Sequence, residues 1–361
     1  MNQTGYSNSF PAVRGIQAGH PCYIAMCPMR LITKLFTFDG DDVPPELRAQ
    51  RTLNRSRIPE IATYLVENPS DYTLSSITAS VDSQVKFEPI TDTGFGQNIG
   101  TLHIPMEAKI LINDGQHRRA AIEKAIEETP ELGYDNISVL FFIDEGLARS
   151  QQMFADLNKH AVRPSDSIST LYDLRDSLSE MARYVQKQVF IFSRMSELEK
   201  SSISNRSTKL FTLSSIKNAT RALLRKGLKD TTNKEEKTLA VEYWNEVSAN
   251  MSDWQMALKK EVSSSQLRAD CIHAHGVFLQ AMGQIGTDLL ANTPKVWKKK
   301  LKKLNSIDWA RVNPDWEGRA MIHGRISKAR TNVILTGNYI KQQLNIPLSS
   351  TEEEIEKAFK Q

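Results

Sequence analysis

The spacing of hydrophobic and polar residues predicts a first half of mixed secondary structure. Residues 1–20 are polar and contain Gly and Ser, which predicts an irregular N-terminal arm. Pro59 fits the first position of a helix whose buried stripe includes Ile61 and Leu65. Shorter apolar patterns predict further elements: strands at 22–26, 31–38 and 74–81, and a short helix at Pro44–Leu53.

The clearest pattern lies between residues 104 and 143. Ile104, Met106, Ala108, Ile110 and Ile112 alternate with other residues at a period of two, which predicts one continuous strand. A helical stripe then runs from 121 to about 128, and the apolar run 137–143 predicts a buried strand. Strand, helix and strand in about 40 residues suggest a βαβ-like unit, although its strands need not be adjacent. A further helix is predicted at 146–157.

Beyond residue 167, strand patterns nearly vanish and helical stripes dominate. The fold predicted is therefore α+β, with an α/β domain at 21–166 and an all-α domain at 167–361.

Composition narrows the class of protein. Of 361 residues, 40% are hydrophobic and 24% charged, which is ordinary for a soluble globular protein. No apolar run approaches the ~20 residues of a membrane span. The N-terminal residues lack a charged region followed by an apolar core, so we expect no secretory signal. The three cysteines (Cys22, Cys27 and Cys271) form no CxxC pair, so we expect a cytoplasmic protein without a zinc site. We predict neither metal-ligating residues nor a membrane partner. Whether the protein forms a homo-oligomer is left open.

Residues 113–121 carry the strongest functional pattern, Asn-Asp-Gly-Gln-His-Arg-Arg-Ala-Ala. They join the predicted strand to the predicted helix, and Gly115 permits a positive φ or a close approach of the backbone. His117, Arg118 and Arg119 place positive charge in the first helical turn, where it opposes the helix macrodipole. A bound anion would relieve this mismatch, because helix N–H groups and Arg match phosphate oxygens. The alternative is a helix capped by Asp114 with solvated arginines.

The letters Asp114-Gly-Gln-His-Arg118 match the defining string of the DGQHR-domain family, and the chain resembles that family on both sides of it. The upstream run Gln50-Arg51-Thr-Leu-Asn-Arg55-Ser-Arg57 is similar to its arginine-rich helix entry, and Phe154-Ala-Asp-Leu-Asn158-Lys159 to its Phe-x-x-Asn segment. Within it, the whole chain resembles the DndB group, regulators of bacterial DNA phosphorothioate (DNA sulfur) modification.

The resemblance implies a ParB/sulfiredoxin-like fold, in which a Gly-x-x-Arg turn binds nucleotide phosphates. Sulfiredoxins carry a catalytic cysteine inside that turn, and this chain has Gln116 instead, so cysteine sulfinate repair is not expected. The cofactor expected is ATP or another nucleoside triphosphate with Mg, or else none. Carried over to this chain, Gly115, His117 and Arg118 occupy that turn. The full set of phosphate-binding residues that we predict is Gly115, Gln116, His117, Arg118, Arg119, Arg51, Arg55, Arg57, Asn158 and Lys159.

Several basic stretches are candidates for DNA contact, each with a plainer alternative. Arg48 shares a predicted helix face with Arg51 and Arg55, either as a phosphate-binding cluster or as a solvated face. Asn158 and Lys159 either line the phosphate site or end a helix. The remaining candidates, which would contact the DNA backbone or form solvated faces, are Lys298, Lys299, Lys300, Lys302, Lys303, Arg325, Lys328 and Arg330.

Three hypotheses of function follow. The first is a DNA-binding repressor of the phosphorothioate-modification genes, with their promoter as its double-stranded partner. The second is a ParB-like ATPase or DNA-nicking enzyme in phosphorothioate-linked phage defence, in which Asp114, His117 and Arg118 are catalytic. The third is an interaction component whose helical region docks onto other DNA-sulfur-modification proteins.

Overall fold

The protein is described by a computed structural model over residues 6–36, 57–145, 149–159 and 164–360. The chain divides into two compact units, Met1–Val162 and Arg163–Gln361. Each unit has its own hydrophobic core. A mixed sheet dominates the first unit and helices the second, so the predicted α+β class is confirmed.

A seven-stranded mixed sheet forms the frame of the first unit. Its spatial order is β4-β5-β1-β2-β7-β3-β6, which places β6 at an edge. Strands β3 and β7 are parallel, and the other neighbouring pairs are antiparallel. The strands are β1 (Ser7–Gln17), β2 (His20–Pro28), β3 (Ile77–Val81), β4 (Lys86–Pro89), β5 (Ile99–Pro105), β6 (Ile110–Asp114) and β7 (Asn136–Ile143).

Within the described residues, four helices accompany this sheet. Helix α3 packs against α1 and α2, and buried residues such as Ile32, Leu65 and Ile122 join the strands in one apolar core. The first turn of α4 lies beside β6. The helices are α1 (Met29–Leu35), α2 (Arg57–Glu67), α3 (Gln116–Glu128) and α4 (Ser150–Lys159), with 3-10 turns at Gly94–Asn98 and Pro130–Tyr134.

The predicted irregular arm at 1–20 is wrong, because residues 7–17 form strand β1 between β2 and β5. Phe10 and Ala12 face the core, while most of the other residues of this strand are exposed. A strand with only two buried side chains gives a weak alternation, and its polar composition resembles that of a loop.

The predicted strand at 31–38 is also wrong, since helix α1 covers most of it. Its buried side chains are Met29, Ile32 and Phe36, which are spaced three and four residues apart. That spacing places them on one side of a helix. The predicted helix at Pro44–Leu53 lies outside the described residues.

The long strand predicted across 104–112 is two strands, β5 and β6, joined by a turn in which the Ala108 amide donates to the Pro105 carbonyl at 3.1 Å. Ile104 and Ile110 are both buried and are an even number of residues apart, so the period of two passes unbroken through the turn. The βαβ-like interpretation needs correction as well. Strand β3 lies between β6 and β7, and β6 is antiparallel to both.

Helices dominate the second unit, which also contains two pairs of two-residue strands. Strand β8 (Ser196–Glu197) pairs with β9 (Phe211–Thr212), and β10 (Met321–Ile322) pairs with β11 (Arg325–Ile326). Trp244, Trp254 and Trp316 lie fully buried in its core. None of the described helices is long and apolar enough to cross a membrane. The helices are α5 (Asp166–Tyr172), α6 (Ser177–Gln188), α7 (Phe190–Met195), α8 (Leu213–Leu223), α9 (Lys234–Ala249), α10 (Ser252–Leu258), α11 (Ser264–Asp270), α12 (Gly276–Asn292), α13 (Trp297–Leu301), α14 (Arg330–Gln343) and α15 (Ser350–Lys360).

Candidate phosphate-binding turn

The Asp-Gly-Gln-His-Arg segment lies where edge strand β6 gives way to helix α3. Gly115 is the N-cap residue and adopts φ 111° and ψ 12°, a conformation that residues with a Cβ rarely adopt. No side chain caps the helix, and its first turn contains no acidic residue. The amide groups at this helix start are therefore not neutralised by a side-chain cap, which is the arrangement that favours an anion.

Arg118 is held at the turn by two neighbours. Its guanidinium Nη2 donates to the Asp114 carboxylate Oδ2 at 2.8 Å and to the Ser76 carbonyl at 2.9 Å. Its Nε–H is buried and has no hydrogen-bond partner among the described residues. Asp114 thus pairs with a side chain four residues along instead of capping the helix, so the capping interpretation of Asp114 is wrong.

Gln116 and Arg119 support the turn from inside. The Gln116 side chain is buried, and its amide donates to the Ile112 carbonyl at 3.0 Å. The Arg119 guanidinium donates to the Thr33 carbonyl at 3.0 Å and to Glu123 at 3.2 Å. Both residues were proposed as phosphate ligands from the sequence, and their side chains are engaged with the protein instead of being fully exposed.

A buried polar chain fixes the end of β6. Asn113 is fully buried, donates to the Ser80 hydroxyl at 2.7 Å and accepts from the Ser150 hydroxyl at 2.8 Å. The chain joins β3, β6 and the start of α4 just before Gly115. A network with both sides satisfied gives the turn a defined position.

His117 lies in the first turn of α3 and is partly buried. Burial lowers the pKa of His117 below its ordinary value, the charges of Arg57 and Arg118 lower it further, and Asp114 opposes them. The lowered pKa favours the neutral ring, which can donate a proton through one nitrogen and accept one at the other. Arg57 begins α2, and α2 packs against α3, so its charge acts on this ring.

The structure describes the side chains of only some of the other predicted ligands. Arg48, Arg51 and Arg55 lie outside the described residues, and the side chains of Asn158 and Lys159 are likewise not described. The backbone of Asn158 is eight residues beyond Ser150 in α4, roughly 12 Å along a helix.

The predicted DNA-contacting lysines lie on and after α13. Lys298 is paired with Glu242 at 2.5 Å, and Lys300 donates to the Asn345 carbonyl at 2.7 Å. Lys299, Lys302 and Lys303 are exposed, with no carboxylate partner among the described residues. The structure therefore leaves three of these five lysines available for contact with an external phosphate.

The second basic stretch follows the hairpin of β10 and β11. Arg325 lies on β11, Arg330 begins α14, and both are exposed without a carboxylate partner in the described parts of the chain. Lys328 lies instead at the mouth of a cavity that also contains Arg268 and Arg311, residues that the sequence did not single out. Arg268 and Arg311 are 43 positions apart and share no repeating pattern, so no local signal joins them.

One group of described residues has ligand atoms close enough for a metal: Asp253, Cys271 and His273. The buried His273 already uses both ring nitrogens, since Nδ1 accepts from Trp254 at 3.1 Å and Nε2 bonds Asp253 at 2.8 Å. A neutral imidazole bonded in this way has no lone pair left for a metal. We therefore interpret this group as a hydrogen-bonded support of the helical core.

A family model described as "DndB: DNA-sulfur modification-associated" matches residues 10–347, nearly the whole chain. The chain belongs to the DndB family. Membership of the DndB family supports involvement in DNA sulfur modification. It is consistent with DNA and other proteins of such systems as partners. Neither the curated proteins nor the solved structures gave a significant match.

Proposed function

We propose that this DndB-family protein is a DNA-binding repressor of a bacterial phosphorothioate-modification gene cluster. The match across residues 10–347 carries the proposal, because it covers both the turn and the helical unit. The turn around Gly115 would bind the phosphates of a nucleoside triphosphate with Mg, and basic surfaces would bind promoter DNA. A nucleotide at the turn would then control DNA binding.

The chemistry of the turn supports the nucleotide part. The uncapped start of α3 offers backbone N–H groups, and Arg118 offers a guanidinium with a buried, unsatisfied Nε–H. Asp114 now accepts one Arg118 hydrogen bond and is itself about half exposed. A phosphate can compete with this carboxylate from the solvent side, because Asp114 is about half exposed and accepts one hydrogen bond from Arg118.

The exposed lysines support the DNA part. Lys299, Lys302 and Lys303 lie on a short helical segment and have no carboxylate partner in the described part of the chain, which suits contact with successive backbone phosphates. Such contacts position a protein on a duplex and do not select a sequence. Binding through them should weaken steeply as salt rises.

The deciding experiment is a DNA-binding titration at fixed salt, with and without ATP and Mg. It compares the promoter of the modification genes with random duplex of equal length. We expect the promoter to bind by orders of magnitude more tightly, as for other specific DNA-binding proteins. Equal affinity for both duplexes would refute the repressor role.

Two variants test the turn in the same titration. Arg118→Ala removes the guanidinium and should abolish both nucleotide binding and its effect on DNA affinity. Asp114→Asn removes the competing carboxylate charge but keeps the shape, so nucleotide affinity should be retained or increased. If the Asp114–Arg118 pair is purely structural, both variants should instead lose stability without a selective effect on the nucleotide.

The second candidate function is a ParB-like nucleotide hydrolase (ATPase) or DNA-nicking enzyme. The observation favouring it is a neutral His117 beside the Asp114–Arg118 pair, which supplies a proton acceptor near a phosphate-binding cation. His117→Gln should then abolish phosphate release or nicking while nucleotide affinity persists. Turnover that is unchanged in this variant would exclude the role of His117.

A further inference from the structure

A cavity in the helical unit has the chemistry of a second anion site. Its volume is about 560 Å³, and its lining includes Arg268, His275, Arg311 and Lys328, with no carboxylate among the described lining residues. Pockets of a few hundred cubic ångströms are the usual size for small-molecule ligands. A cavity with three cationic side chains and no acid among its described lining residues is suited to a negatively charged molecule.

The two arginines are held in place by backbone oxygens alone. The Arg268 guanidinium donates to the carbonyls of Ser204 at 2.9 Å and Ser207 at 3.1 Å. The Arg311 guanidinium donates to the carbonyls of Ala269 at 3.0 Å and Gly324 at 2.6 Å. These bonds fix the guanidinium groups but leave their charges uncompensated, because neither has an ion pair within the described chain.

Lys328 completes the positive cluster. A Cβ built on Gly276 would lie 2.6 Å from the Lys328 ammonium and 2.8 Å from the Ser215 hydroxyl, so both groups crowd onto the first residue of α12. Lys328 has no carboxylate partner among the described residues, and its side chain is exposed overall. Protein atoms nevertheless surround the ammonium closely enough for burial to lower the pKa of Lys328.

The start of α12 adds a further source of positive potential. This helix has 17 residues, and its N-cap residue, His275, makes no side-chain cap hydrogen bond. The His275 Nε2–H donates to the Arg268 carbonyl at 2.8 Å, and burial lowers the pKa of His275 to about 4, so the ring is neutral. The first turn of α12 contains no acidic residue, and its N-cap and first residues line the cavity beside the same cations, so the helix start adds to the positive potential there.

We propose that the cavity formed by Arg268, Arg311, Lys328 and the start of α12 binds the phosphate group of a small phosphorylated ligand of nucleotide size. This site is separate in sequence from the turn at Gly115, and it assigns Lys328 to a small-ligand site instead of a DNA surface. Because the Arg311 guanidinium also bonds Gly324 in the turn between β10 and β11, an occupied cavity would be connected to the hairpin that carries Arg325.

The test uses the full chain with Arg118→Ala as background, so that binding at the Gly115 turn is removed. Calorimetric titrations measure inorganic phosphate, AMP and ATP separately, and fluorescence anisotropy measures a short DNA duplex. We expect Arg118→Ala protein to retain one site for a small phosphate. If wild type and Arg118→Ala bind equally, the nucleotide part of the proposed function fails while the cavity proposal stands.

Two changes probe the cavity in this background. Lys328→Gln removes one charge at similar length, and should weaken binding of the small phosphate about tenfold or more, as expected for a charge-assisted hydrogen bond. Gly276→Ala places a methyl group against the ammonium and the Ser215 hydroxyl, and should weaken binding without changing charge. Lys229→Gln is the matched control, because Lys229 is exposed and lies outside the cavity.

Tryptophan fluorescence checks that the helical unit of each variant is folded, because all five tryptophans lie in that unit. The proposal is overturned if Arg118→Ala protein binds none of the three small phosphates. It is also overturned if folded Lys328→Gln protein binds them as tightly as the Lys229→Gln control. Loss of affinity for the duplex alone would show instead that the cavity belongs to the DNA surface.

Discussion

Gly115→Ala is the change that tests the geometry of the turn most directly. Gly115 adopts φ 111°, and an added Cβ would lie 3.0 Å from the Ile77 side chain and 3.1 Å from the Arg118 Nη2. The substitution therefore combines backbone strain with an unusually tight contact against the guanidinium that we propose binds phosphate, so that group must shift slightly. A matched variant separates these two effects, because Gly94 also has a positive φ, 68°, but nothing lies within 4 Å of its added Cβ.

The expected magnitudes follow from these two environments. A left-handed conformation costs a residue with a Cβ about 1–2 kcal/mol, and the reduced freedom of the unfolded chain returns about 0.4–1 kcal/mol. We therefore expect Gly94→Ala to lower the free energy of unfolding by about 1 kcal/mol. Overpacking adds about 1–3 kcal/mol, so Gly115→Ala should cost about 2–4 kcal/mol in total.

The assay must report on the first unit, which contains no tryptophan. Hydrogen–deuterium exchange of peptides from β6 and α3 in the full chain meets this need. Since each 1.4 kcal/mol is a factor of ten, exchange in Gly115→Ala protein should be faster by about 30-fold or more. Gly115→Ala should also weaken nucleotide binding, whereas Gly94→Ala should not. Equal acceleration in both variants would refute the described contact between Gly115 and Arg118.

Three further outcomes are expected. Glu356→Gln leaves the buried Arg319 without its ion-pair partner and should lower the free energy of unfolding by about 3–5 kcal/mol, measured by urea unfolding followed by tryptophan fluorescence. Because the Arg319 hydrogen bond lowers the pKa of Glu356, this loss of stability should be full above the ordinary pKa of a glutamate and should shrink as pH falls through the lowered pKa. A loss that is independent of pH would contradict the pairing. Asn113→Ala breaks the buried chain that fixes β6 and should cost about 1–3 kcal/mol, read by the same exchange experiment. Proton NMR should give His117 a pKa below its ordinary value, and addition of ATP should raise it, because a bound anion counteracts Arg118; a pKa unmoved by ATP would place the nucleotide elsewhere.

The sequence predicts the turn well because local patterns define it. The strand period ends at Asp114, the helical stripe begins soon after, and Gly115 marks the join, as the structure confirms. The contacts of Arg118 could be predicted only in part. Asp114 lies one helical turn away and is a natural partner, but the Ser76 carbonyl is 42 residues away and reaches Arg118 only through the pairing of β3 with β6.

Sheet topology and weakly amphipathic strands could not be predicted from the sequence, because both depend on pairing between distant parts of the chain. Strand β1 buries only Phe10 and Ala12, so its stability depends on hydrogen bonds to β2 and β5, which no local pattern encodes. The insertion of β3 between β6 and β7 likewise reflects long-range pairing. The cavity of the helical unit is the extreme case, because Arg268 and Arg311 are brought together by backbone carbonyls of distant loops.

The turn and the cavity differ in one property that determines how each should respond to an anion. At the turn, Asp114 already occupies part of the coordination of Arg118, so a phosphate must displace or share a carboxylate. In the cavity, Arg268, Arg311 and Lys328 have no such competitor in the described chain. Other things being equal, the cavity should fill at lower concentrations of a small phosphate and the turn at higher ones. Asp114→Asn should reduce this difference, because it removes the charge that competes at the turn while leaving the cavity unchanged.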